Sequence, residues 1–171
     1  MPGQDETYLH IEPASNSRDP NDAFAEVMMY HHMSAAHRYF TGELGMESLS
    51  SPLLALVNVQ LGMGAFWLPF DNAAFIPQQG FAEFGLPSIN EDAIVFGQGS
   101  TVDFAYDAAV IRHEYTHAMV GATRLMGAAL DEHGLDNAPG SLNEAHADYF
   151  AATMADSPII GSYALEAFAG A

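Results

Sequence analysis

Residues 113–117 read His-Glu-Tyr-Thr-His. On a helix, positions i and i+4 project from one face about one turn apart. Two imidazoles so placed can hold one zinc ion, and Glu114 between them stands beside the metal, where it can take a proton from water bound there. Further along, residues 143–149 read Asn-Glu-Ala-His-Ala-Asp-Tyr. A catalytic zinc site needs a third protein ligand and one open position. Glu144 can be that ligand. Asp148 lies one turn further on the same face, where its carboxylate can accept a hydrogen bond from the free nitrogen of a liganding His and so fix the tautomer. With eight histidines in the chain, the first motif arises by chance about a few per cent of the time; the two motifs in this order reinforce each other.

Two helices must carry these motifs. Asp107 to about Met126 reads as the first, with Asp107 as cap, Ala108 to Ile111 as a good start and Gly127 as the stop. Residues 131–141 read as a loop, with Gly134, Pro139 and Gly140. The second helix is expected from Ser141 (its cap) or Leu142 to about Met154, ended by Asp156-Ser157-Pro158. Upstream, Asp22 to Phe40 carries an apolar stripe at helical spacing, with Asn21 or Asp22 as cap and Gly42 and Gly45 beyond its end. Residues 53–59, 65–70, 72–76 and 93–97 read as strands separated by Gly and Pro. The expected class is α+β, with an opening helix, a small mixed or antiparallel sheet and two helices that meet at a metal.

The remaining histidines read as ordinary side chains. His31, His32 and His37 show no spacing of three or four. His146, two positions after Glu144, points about 160° away round the helix, and His133 falls in the connecting loop. Tyr115 reads as packing or as a side chain behind the metal ligands, and Met119, Met126, Phe150 and Met154 as core.

A chain of 171 residues, 49% of them hydrophobic, fits one domain with a sizeable core. Residues 1–21 are polar and read as an extended lead-in, not as a signal peptide. The domain is expected over 22–171. The four basic residues, all Arg, against 22 acidic ones give a formal charge of −18. That excess argues against nucleic acid or an anionic membrane as partner. No Asp-x-Asp-x-Asp-Gly loop supports calcium; Asp131, Glu132 and Asp136 read as a solvated acidic loop, with calcium ligation as the alternative. Cysteine is absent, so a metal must be held by His and carboxylates.

The pair His-Glu-Tyr-Thr-His and Asn-Glu-x-x-Ala-Asp resembles the gluzincin metallopeptidases of the thermolysin and fungalysin group. The likeness extends over roughly residues 22–161, through the opening helix, the Asp71-Asn72-Ala73-Ala74-Phe75 segment and Ile94 to Gly99. It implies a zincin-like domain and a zinc peptidase that cleaves a polypeptide. By that resemblance His113, His117 and Glu144 hold the zinc and Glu114 is the base. Asp148 orients His113, and the Asn143 backbone does the same for His117. Asn72 and Ala73 pair with an extended substrate. The resemblance also implies a secreted or periplasmic protein. Such enzymes take a further His or Tyr from a helical C-terminal subdomain to stabilise the oxyanion. Here Tyr163 is the only His or Tyr after Phe150, so the domain is expected without that subdomain. Three readings stand: an endopeptidase, an aminopeptidase, and a zinc-holding but silent domain.

Overall fold

The structure, a computed structural model, describes residues 11–14, 19–46, 49, 52–81, 89–120, 129–132, 134–136 and 138–168. Helix α1 spans Ala23–Arg38. Asp22, not Asn21, caps it, its Oδ1 accepting the Phe24 N–H at 2.9 Å. The chain then widens into one π-helical turn, Tyr39–Glu43, that contains Gly42. Gly45, with φ +65°, makes the actual stop.

Four strands follow: β1 Leu54–Met63, β2 Phe66–Pro69, β3 Ala73–Ile76 and β4 Ala93–Gly97. They form one mixed sheet in the order β2-β1-β4-β3, with β1 and β4 parallel and the other pairs antiparallel. Strand β1 runs beyond the expected 53–59 because a bulge lets it continue. The register shifts between Leu56 and Val59, and Asn58 there takes φ +58°, a conformation Asn tolerates better than most. Ile94, Phe96 and Phe75 point to the helices; Ala93, Val95 and Ile76 point to the other face, as strand alternation requires.

Helix α2, Ala108–Val120, lies against β3 and between α1 and the last helix. The expected end near Met126 and the stop at Gly127 lie outside the described residues. A hairpin of β5 (Ala129–Asp131) and β6 (Gly134–Asp136) replaces the first part of the expected loop. Helix α3 runs Ala138–Ala155 and so begins before Ser141, which lies inside it instead of capping it. Pro139 made that stretch look like loop, but the first helical turn needs no N–H from it. Asp156, with φ +50°, ends the helix. A short 3-10 turn, Ala164–Ala167, closes the described chain. The fold is α+β, with three α-helices among the described residues.

Candidate metal centre

Helices α2 and α3 pack through small residues. On α3 the stripe Asn143, Ala147 and Ala151 is buried, the two alanines completely. Short side chains let the helices approach closely. The next stripe round the helix carries Glu144 and Asp148, which therefore sit at the rim of the contact. On α2, His113 and His117 face that rim.

The three expected ligands converge. His113 Nε2 lies 3.2 Å from Glu144 Oε2, His117 Nε2 lies 3.6 Å from it, and the two Nε2 atoms are 3.1 Å apart. A tetrahedral zinc with bonds near 2.0–2.2 Å sets its ligand atoms about 3.3–3.6 Å apart, close to these separations. The donor set fits the ion chemically as well. His113 Nδ1 is 2.9 Å from Asp148 Oδ1. A carboxylate only accepts, so Nδ1 is the donor in this contact, and the tautomer with its proton there is the one that can turn an Nε2 lone pair to a metal. Two nitrogen donors and a carboxylate aimed at one point repel each other unless a cation or proton lies between them. Among the described residues no other set of His, Asp and Glu side chains converges in this way.

The Asn143 contact differs from the expectation. Among the described residues His117 Nδ1 is buried without a hydrogen-bond partner. Asn143 lies inside α3 and not near a free end, so its carbonyl belongs to the helix ladder. Asn143 lines the cleft together with Glu144.

Glu114 is buried, and its Oε2 accepts the Phe75 N–H of β3 at 2.7 Å. Burial pushes its carboxyl above the usual carboxylate range; the neighbouring histidines and the Phe75 N–H oppose that rise. The bond also reports which way β3 faces. Gly97 N donates to Asn72 O at 2.9 Å, so residues 72, 74 and 76 turn their backbone groups to β4, while 73 and 75 turn theirs outward. Strand β3 is an edge strand, and its outward Ala73 N–H and C=O lie beside the metal helix.

Two recesses flank this point and share Asn72, Ala73, His113 and Glu114. One, about 350 Å³, opens on the His117, Asn143 and Glu144 side. The other, about 270 Å³, is mainly apolar and is walled by Val110, Ile160, Ala164 and Leu165. The residues of this second recess and the role of Phe75 were not legible in the sequence, because chain segments far apart build them.

The other candidates lie elsewhere. Tyr163 stacks on Tyr106 with ring centres 6.1 Å apart and lines neither recess. His37 Nδ1 bonds the Tyr115 hydroxyl at 2.9 Å on the far side of α2. His32 is half-buried, and desolvation lowers its pKa to about 4. His146 Nδ1 bonds Leu142 O at 2.6 Å, on the exposed side of α3. His133 lies outside the described residues, as do the side chains of Asp131 and Asp136. No helix is long and apolar enough to cross a membrane among the described residues.

Residues 10–169 match the family model of the fungalysin metallopeptidases (M36). The comparison with curated proteins gives no match.

Proposed function

The chain belongs to the fungalysin metallopeptidase family, zinc-dependent hydrolases of polypeptides, and on that premise we propose that it is an endopeptidase with His113, His117 and Glu144 as zinc ligands and Glu114 as general base. The observation that carries this reading is the convergence of three ligand atoms beside a buried carboxylate and an open strand edge. Zinc, when bound, lowers the pKa of water and polarises a carbonyl.

The chain's own residues do the rest. Ala73 offers an outward N–H and C=O to an extended peptide, which adds as a further strand antiparallel or parallel to β3. That pairing fixes the scissile carbonyl in front of His113 and Glu114 before reaction, which removes much of the entropic cost. The Phe75 N–H holds one oxygen of Glu114 and leaves the other to accept the proton of the attacking water. As the water oxygen bonds to the carbonyl carbon, Glu114 takes that proton. It then delivers it to the amide nitrogen as the C–N bond breaks, giving a carboxylic acid and an amine; the acid's remaining proton then passes to the amine, leaving a carboxylate and an ammonium group. A base that must also return its proton works best with a pKa drawn toward the working pH, the direction in which burial moves Glu114.

Recesses on both sides of Glu114 favour internal cleavage, since a chain can run through without ending at the site. We extend to this chain the secretion general in its family and the absence of nucleic-acid partners that its charge suggests. A second reading, a domain that holds zinc but is silent, has one observation behind it. Among the described residues neither recess is lined by a Tyr, Arg, Lys or further His that can donate to an oxyanion.

The test is zinc content measured with hydrolysis of casein and of an end-blocked, internally quenched peptide, for the wild type and Glu114→Gln. Gln keeps an acceptor for the Phe75 N–H but is no base. The expected result is one zinc in each protein and hydrolysis lowered about 10²–10⁴-fold in the variant. Zinc binding with no wild-type hydrolysis supports the silent reading, and dipeptide-only hydrolysis supports an aminopeptidase. Failure to bind zinc sinks all three.

A further inference from the structure

Asp107 precedes α2 and is only 6% exposed, yet its carboxylate is used from two directions. Oδ1 accepts the Ala109 and Val110 N–H groups at 3.0 and 3.3 Å. Oδ2 accepts the Tyr163 and Ala164 N–H groups at 3.2 and 3.1 Å. A helix cap needs one acceptor oxygen, which Ser supplies as well as Asp. The second oxygen does something the cap does not require. It ties the 160–168 segment to the start of the metal helix.

That segment supplies Ile160, Ala164 and Leu165 to the apolar recess, and α2 supplies Val110 opposite them. The segment also packs through side chains, Tyr163 on Tyr106, Phe168 on Phe104 and the buried Ala164, but Asp107 accepts its backbone N–H groups directly. Leu165 and Phe168 are largely exposed, and its internal bonds are local, such as Leu165 N–H to Gly161 O at 2.8 Å. One carboxylate thus sets both walls: it bonds the backbone N–H of Val110 on one side and of Ala164 on the other.

We propose that Asp107 is a positioning residue that fixes the width of this recess and so the size of the apolar side chain accepted on that side of the scissile bond. The specificity part rests on the peptidase reading above; the positioning part does not. In Asp107→Ser the hydroxyl still caps α2, but its single short oxygen does not reach the tail.

Amide hydrogen exchange of the zinc-loaded protein is expected to speed up about tenfold or more at Tyr163 and Ala164 and to stay unchanged at Ala109 and Val110. For two blocked peptides that differ only by Leu or Gly at the residue entering the recess, the Leu:Gly ratio of kcat/KM is expected to fall about tenfold. The fall should come through the KM of the Leu peptide, with zinc content unchanged. Unchanged exchange at Tyr163 and Ala164 overturns the proposal. Equal losses on both peptides overturn it too, because a merely structural defect does that. If the wild type cleaves neither peptide, the peptidase reading fails and the exchange result alone decides whether Asp107 holds the tail. If Asp107→Ser does not fold, Asp107→Asn is read in the same way: it is isosteric and turns an NH₂ against one pair of donors.

Discussion

Removing the Asp148 carboxylate should weaken zinc binding by a definite amount. Asp148 Oδ1 accepts from His113 Nδ1 at 2.9 Å, a charge-assisted bond worth about 1.5–3 kcal/mol where it is dry. It is not dry here. The Asp148 side chain is 59% exposed and that of His113 17%, so the low end applies, about 1.4 kcal/mol, or tenfold in affinity. Asp148→Ala should therefore bind zinc about tenfold more weakly than the wild type. Asp148→Asn keeps a neutral acceptor, about half as strong, and should lose only about threefold. The assay is competition with a chromophoric chelator at neutral pH and fixed salt, with circular dichroism to show that α3 persists. Wild-type affinity in Asp148→Ala would refute the argument that this carboxylate orients His113. A loss far beyond a hundredfold would refute it from the other side, because Asp148 would then be a ligand itself.

Zinc at about a thousand times its Kd should stabilise the wild type by ~4 kcal/mol. For a chain of this length that is roughly a 10 °C rise in Tm, and Glu144→Ala should abolish it in the same calorimetric scan. Gly97→Ala should destabilise the fold on the order of 3 kcal/mol in urea, since a Cβ there would stand 1.7 Å from Phe70 O and 2.9 Å from Asn72 O; hydrolysis should fall further than stability, because the displaced backbone leads into β3. Burial pushes the Asp103 carboxyl up to about 6 from 3.8, partly offset by the Ala105 N–H. A raised folded-state pKa gives stability that is complete below the unfolded value and is lost as pH rises through the folded one. Asp103→Asn should therefore be more stable than the wild type by ~2–3 kcal/mol at pH 8, the gain fading between about pH 6 and 4 in parallel denaturation curves.

What the sequence determined by itself is what one element contains. His113 and His117 share a face because 3.6 residues make a turn, and Glu144 with Asp148 follow the same rule. The Asp22 and Asp107 caps act within three residues of their targets. The four sheet strands were legible as apolar runs between Gly and Pro, as was the opening helix. The start of α3 was not, because Pro139 signals loop and first helical turn alike. Only the tertiary structure decided what crosses the chain. The Phe75 N–H reaches Glu114 across a separation of 39 residues, and Asp107 reaches Ala164 across 57. Strand β3 is an edge that faces the metal helix because of how β4 and α2 pack around it. These contacts bind backbone N–H groups, which every residue type but proline carries, so no side-chain pattern announces them. They exist only once burial has fixed the packing of sheet and helices.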